Sequence, residues 1–178
     1  LLSPGERLIL DSGTTVATTA GYLRDIPDLT VITYSRPVIH ALATQNDVAV
    51  VSTGGSIDPT INATVGPLAE RVLADVRVDK AFIGATSVSL ADGFSNSNLQ
   101  NVALQQIVLR VAREVYLLVD TAKFSRPPFW LVAQLNALTG IVTDSAPSEP
   151  WREGLAQAGV ALYIAGETDL GLATIHNP

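Results

Sequence analysis

Seven short apolar runs recur along the chain, most of them β-branched and nearly continuous in apolar character. They are Arg7–Asp11, Leu29–Thr33, Val48–Thr53, Val78–Gly84, Glu114–Asp120, Leu138–Thr143 and Val160–Ala165. Strands that show no polar alternation are covered on both faces. Segments of helical spacing lie between most of them. Thr14–Arg24 opens on hydroxyls able to cap a first turn and sets Val16, Ala20 and Leu23 on one side. Pro67 suits the first turn of a helix running to about Asp75, with Leu68, Val72 and Leu73 facing inward. The longest helix, Asn98–Arg113, is apolar around most of its circumference, apart from a stripe of Gln106, Arg110 and Arg113. That predicts burial. Strands alternating with helices predict an α/β fold of three layers, a largely parallel central sheet of about six or seven strands flanked by helices. No repeat or linker divides the chain, so residues 1–166 read as one domain and 167–178 as a C-terminal tail.

The polar residues cluster where strands end. Leu10 runs into Asp11-Ser12-Gly13-Thr14-Thr15, Ser52 into Thr53-Gly54-Gly55, and Val119 into Asp120-Thr121-Ala122-Lys123. In a parallel sheet these ends share one edge, where open α/β sheets bind their ligands. The Asp11–Thr15 turn joins a strand to a helix N-terminus, whose first amides lack partners and attract an anion. Gly13 lets a ligand approach the backbone, and Ser12, Thr14 and Thr15 offer hydroxyls without bulk. The same residues also suit plain helix capping, and spacing alone leaves both readings open. Neither a P-loop nor a dinucleotide-binding glycine signature is present, which points to a small phosphorylated metabolite rather than a nucleotide.

Composition narrows the chemistry. There is no Cys, and His40 and His176 stand far apart, so no metal site and no cofactor is expected. Eleven basic against seventeen acidic residues give a net charge of −6, and only Lys80 and Lys123 are lysines. Without a concentrated basic patch this stretch is a poor match for DNA on its own. No apolar run has the length of a membrane span, and with no Cys and no signal-like start the expected location is the cytoplasm. The lack of any Met leads to the expectation that further chain lies upstream.

The segments LILDSGTT, LTVITYS, VVSTGGSID, VGPLAERVLADVRVDKAFIGATSV and VYLLVDTAKFSRPPF, in that order, resemble the C-terminal sensor domain of DeoR-family bacterial transcription regulators. The likeness runs from about Leu2 to Ala165. It implies a fold similar to ribose-5-phosphate isomerase, glucosamine-phosphate deaminase and the CoA transferases, and a phosphorylated sugar or sugar-derived metabolite as effector. It also implies an N-terminal winged helix-turn-helix, upstream of this chain, that carries operator binding. Carried onto these residues, Asp11, Ser12, Gly13, Thr14 and Thr15 hold the phosphate with Lys123, or Arg126, as the balancing cation. Thr33, Tyr34, Thr53, Gly54, Gly55, Gly84, Ala85, Asn96, Asn98 and Asp120 are expected around the sugar. The chain departs from the family pattern at Tyr34 (usually Asn), at Ser87 (often Gly) and at Gln105-Gln106 (often Lys-Arg). The 94–101 stretch is also richer in Asn than usual, suited to hydroxyls or simply a loop. The sugar preference therefore cannot be borrowed from a relative.

Sugar-phosphate isomerases of similar fold carry acidic residues after the Gly-Ala that closes the fourth strand. Here Thr86-Ser87 follows Gly84-Ala85, and neither can act as a general base at neutral pH. A sensor that binds without turnover is expected. An isomerase- or deaminase-like enzyme, or an oligomerisation domain with a vestigial pocket, stands as the alternative. Pro127-Pro128-Phe129-Trp130 reads as a stiff apolar projection, a lid or a contact within a homo-oligomer, dimer or tetramer.

Overall fold

The computed structural model describes residues 1–44, 47–165 and 173–174. Seven parallel strands form the centre: β1 (Arg7–Leu10), β2 (Leu29–Thr33), β3 (Val48–Ser52), β6 (Val78–Gly84), β9 (Ala112–Leu118), β11 (Gly140–Thr143) and β12 (Ala161–Ile164). An eighth, β13 (Ala173–Thr174), pairs antiparallel with β12 at one edge. Of the expected tail, 167–178, this pair is the described part; the rest lies outside the described residues. The order across the sheet is β13-β12-β11-β9-β6-β1-β2-β3.

Strand pleat sorts the core into two faces. On β1, Leu8 and Leu10 point to one side with Val31, Phe82, Tyr116 and Leu118; they pack on Val16 of α1 (Thr14–Thr19) and Val38 of α2 (Arg36–Leu42). Ile9 points to the other side with Ile32, Ile83 and Leu117, against Leu73 of α3 (Pro67–Asp75), Leu104 of α4 (Leu99–Val111) and Leu155 of α5 (Glu149–Gln157). Each fully buried Leu or Ile contributes about 1.5–3 kcal/mol, and both faces carry a row of them. That is the expected three-layer arrangement.

Several elements differ from the expected ones. Helix Thr14–Arg24 ends at Thr19 and tightens into a 3-10 turn, Ala20–Tyr22. Thr18 and Thr19 turn their hydroxyls back on the carbonyls of Thr15 and Val16 at 2.7 and 2.6 Å, a bond that weakens helix propagation. Helix α4 stops at Val111, and β9 begins at the next residue, so the strand starts earlier than Glu114. The Asn-rich stretch is not a loop. Gly93–Asn96 is a strand, β8, and Asn98 caps α4 by accepting from the Asn101 amide at 3.0 Å. Strand β8 lies between β7 (Ser87–Ser89) and β10 (Trp130–Ala133) in an antiparallel sheet of three. That small sheet contacts α4 from outside, which explains the helix's nearly all-round apolar character, while Gln106 and Arg110 face solvent. A second antiparallel pair, β4 (Ser56–Asp58) and β5 (Ala63–Val65), forms a hairpin beside β2 through a Ser35–Ala63 bridge. Among the described residues, no helix is long and apolar enough to cross a membrane.

Candidate functional site

Strand β1 leads toward β2 and β3 on one side, and β6 lies on its other side, with β9, β11 and β12 beyond. Between β1 and β6 the sheet reverses its direction of growth, and the loops after these two strands splay apart. A cleft of about 590 Å³ opens there. One wall is the turn from Ser12 to Thr15 and the first residues of α1. Gly84, Ala85 and Thr86, from the loop after β6, form the floor. Asn96, Ser97 and Asn101 stand on the α4 side, Asp120 and Lys123 on the β9 side, and Thr60, Ile61 and Asn62 of the hairpin turn close the remaining wall with Pro37.

The Ser12–Thr15 turn owes its shape to Gly13, which has φ 122° and ψ 150°. That backbone strains any residue with a Cβ, although the space around it is open. The first amide of α1 to find a carbonyl in its own helix is that of Ala17, bonded to Gly13 O at 3.0 Å. The amides of Thr14, Thr15 and Val16 before it have no carbonyl to bond within the helix, whose start lines the cleft.

Beneath the turn, one carboxylate organises the floor. Asp11 is fully buried. Its Oδ1 accepts from the Tyr34 hydroxyl at 2.6 Å and the Ser12 amide at 2.6 Å, and its Oδ2 from the Gly84 amide at 2.8 Å and Gln105 Nε2 at 2.6 Å. Gln105 also donates to Gly84 O at 2.7 Å, and Ser12 Oγ donates to Asn101 Oδ1 at 3.1 Å. Two strand ends and α4 are thus tied to a single side chain. Burial pushes the Asp11 carboxyl above the usual range, against the Tyr34 hydroxyl and the amide donors, which favour the charge. Burial and the neighbouring Asp11 likewise push the Tyr34 phenol up.

Charge in the cleft is sparse. Lys123 Nζ stands 3.7 Å from Asp120 Oδ2, and the other Asp120 oxygen, Oδ1, is buried without a hydrogen-bond partner. Another cavity, of about 520 Å³, opens at the opposite strand ends, lined by Glu6, Arg7, Asp79, Lys80, Arg113 and Glu114. Four of these charges are spent on one another, Arg7 pairing with Asp79 at 3.2 Å and Lys80 with Glu6, and Glu114 accepts from the Tyr116 hydroxyl at 2.6 Å. Among the described residues, no three of His, Asp and Glu gather as a metal site would require.

The expected site residues divide into three groups. Ser12, Gly13, Thr14, Thr15, Gly84, Ala85, Asn96, Asp120 and Lys123 line the one cleft. Asp11, Thr33 and Tyr34 lie under it, each with no exposed surface; Thr33 Oγ1 bonds to Leu10 O at 2.6 Å. Thr53, Gly54, Gly55 and Asn98 serve local structure beside it. Thr53 Oγ1 meets Thr64 Oγ1 at 2.9 Å, and a side chain at Gly55 would lie 2.6 Å from Val65 O. Asn98 bonds Asp58 Oδ2 at 3.0 Å. Sequence reasoning missed the Thr60–Asn62 turn, and it met Asn101 only as part of the 94–101 stretch suited to hydroxyls. The Asp58-Pro59-Thr60 signal marks a turn, but nothing local says that it folds over a cleft 45 residues from Gly13.

A family model described as the DeoR C-terminal sensor domain matches residues 1–145. The HTH-type transcriptional regulator YulB of Bacillus subtilis strain 168 is 33% identical over 141 residues, covering 79% of this chain and 54% of its own length. The HTH-type transcriptional repressor GlcR of the same organism is 27% identical over 169 residues, covering 95% and 65%. The chain therefore spans little more than half to two-thirds of the length of these relatives. Ribose 5-phosphate isomerase A from Methanocaldococcus jannaschii superposes with a TM-score of 0.50 at 20% identity, over 70% of this chain and 48% of that one. RipA from Yersinia pestis does so with a TM-score of 0.53 at 13% identity, over 87% and 49%. At such identities these structures speak for the fold. With the sensor model covering most of the sequence, the chain belongs to the DeoR C-terminal sensor domain family.

Proposed function

We propose that this chain is the effector-sensing part of a cytoplasmic transcription regulator of carbohydrate metabolism, a repressor. It binds a phosphorylated sugar in the cleft at the β1–β6 reversal and thereby alters operator binding by an upstream winged helix-turn-helix domain. The observation that carries this reading is the Ser12–Thr15 turn, where amides and small hydroxyls border a cleft that also holds Lys123. A phosphate there gains hydrogen bonds from the helix start and a charge contact from Lys123, which gives up its long contact with Asp120. Asp120 Oδ2, freed as the lysine turns to the phosphate, is then an acceptor for a sugar hydroxyl.

Binding without turnover fits the same geometry. Among the described residues Asp120 is the one carboxylate lining the cleft and already neighbours a lysine, and Asp11 lies sealed under four donors. Neither stands ready to shuttle a proton. To regulate, the effector must prefer one conformation of the assembly. The regulator acts as a homo-oligomer, dimer or tetramer, whose contact is the exposed Phe129, Trp130 and Leu131 face.

Thermal unfolding with a panel of sugar phosphates tests the reading. At a hundredfold excess over its dissociation constant, a binding effector adds about 2.7 kcal/mol of stability. Gly13→Val should abolish that shift while unfolding stays cooperative. Unchanged affinity in the variant overturns the reading, and consumption of the compound favours an enzyme instead.

A further inference from the structure

The lining of the cleft is of two chemical kinds: the Ser12–Thr15 turn and Lys123 suit an anion, and the turn of the β4–β5 hairpin presents the uncharged Thr60, Ile61 and Asn62. The hairpin is braced from both sides. Arg36 bonds Asn62 Oδ1 through Nη1 at 3.0 Å and Asn62 O through its amide at 3.1 Å. Asn98 Nδ2 reaches across from the start of α4 to Asp58 Oδ2 at 3.0 Å, and Asp58 Oδ1 holds the Thr60 amide at 2.8 Å. A turn so fixed presents its groups at a defined position rather than sweeping over the cleft. Thr60 and Asn62 are exposed, and Ile61 is half-buried with its back on the core. The Asn62 backbone has φ 53°, a conformation Asn tolerates and most residues do not.

Resting on the sugar-phosphate reading above, we propose that the Thr60-Ile61-Asn62 turn is the wall that reads the uncharged end of the effector and so decides which one binds. Its hydroxyl and amide can donate to and accept from sugar hydroxyls, and Ile61 covers the carbon face between them. The rest of the lining restricts the class further. Asp120 and Lys123 are the charged groups lining the cleft, and they cancel. A phosphate monoester brings about −1.5 to −2 charges at neutral pH, which the helix-start amides and Lys123, turned from Asp120, can meet; among the described residues no second lysine or arginine lines the cleft, and Arg36 beside it is held by Asn62. No aromatic ring lines the cleft among the described residues, so a nucleobase has no platform on which to stack. The effector is therefore a monophosphate of a polyhydroxylated, non-aromatic carbon skeleton.

The test is calorimetric titration of wild type, Thr60→Val and Asn62→Gly with five probes: inorganic phosphate, an aldose monophosphate, a ketose monophosphate, a hexose bisphosphate and adenosine monophosphate. Valine keeps the branched shape without the hydroxyl, and glycine keeps the positive φ without the amide. Each variant should weaken the best monophosphate about fivefold, one hydrogen bond's worth, and inorganic phosphate less than twofold. An unchanged ratio between sugar monophosphate and phosphate in both variants overturns the proposal, as does tighter binding of the bisphosphate or the nucleotide than of every monophosphate. If neither phosphate nor any monophosphate binds wild type, the cleft reading itself fails, a separate result.

Discussion

At the scale of single residues, Asp11 controls more of the site than any group that lines it. Its oxygens satisfy the Tyr34 hydroxyl, the Gly84 and Ser12 amides and the Gln105 side chain, drawing β1, β2, β6 and α4 together. Removing the acceptor leaves several buried donors empty, each costing about 1–3 kcal/mol. Asp11→Ala should therefore lose about 3 kcal/mol or more in a denaturant titration, whereas Tyr34→Phe, which removes one donor and leaves the carboxylate three, should lose about 1 kcal/mol. The identity of Asp11 was legible in the sequence, and its position below the floor was not. A polar residue at a strand end looks outward until the partners that bury it are known, and those partners lie 23, 73 and 94 residues away.

Among the elements, those that stand or fall by a local pattern could be read directly. The seven parallel strands announce themselves as continuous apolar runs, and α3 by Pro67, although Leu68, expected inward, is exposed and Ala69 is buried in its place. What escaped were short antiparallel strands, β4, β5, β7, β8 and β10, each three or four residues long. Four of them are polar or mixed in sequence and β10, though apolar, is short; only pairing with distant chain makes them strands. The candidate site divides in the same way: the Ser12–Thr15 turn was legible as a turn because it lies within one motif, and the hairpin turn was not because its placement depends on Arg36 and Asn98. Strand β10 shows a second consequence. It ends the small sheet with Trp130 and Leu131 exposed beside Phe129, and no charged residue occurs from Pro127 to Thr143. An uncharged apolar edge invites association. The proposed contact between copies predicts that Trp130→Glu lowers the molecular mass measured by light scattering, with unfolding still cooperative. A wild type of 18.7 kDa, the mass of a single chain, would count against it.

For the whole molecule, acid is the condition that should reveal its electrostatics. Hydrogen bonds from Arg7 hold the Asp79 carboxyl below the usual range, and amide bonds from Thr60 and Thr121 do the same for Asp58 and Asp144. A carboxyl depressed in the folded state stabilises it above the unfolded value, near 4, and that contribution is lost as pH falls through the folded value. Asp11 has the opposite sign. Its raised value makes its contribution greatest in acid, and that contribution fades as pH rises. With four depressed carboxyls, Glu6 beside Lys80 included, against one raised, the melting temperature should drop below about pH 4, and Asp79→Asn should make that drop shallower. An equally steep drop in the variant would remove the Arg7–Asp79 pair from the account.

Helix α4 and strand β9 meet with no residue between them, Val111 ending one and Ala112 opening the other. The join has no slack. Every further residue in an α-helix turns it by about 100°, so an insertion ahead of Val111 would swing Asn101 and Gln105 off their partners Ser12 and Asp11 while the strand stayed pinned in its sheet. The length of this one helix is in effect a ruler that sets the shape of a cavity more than one helical turn away.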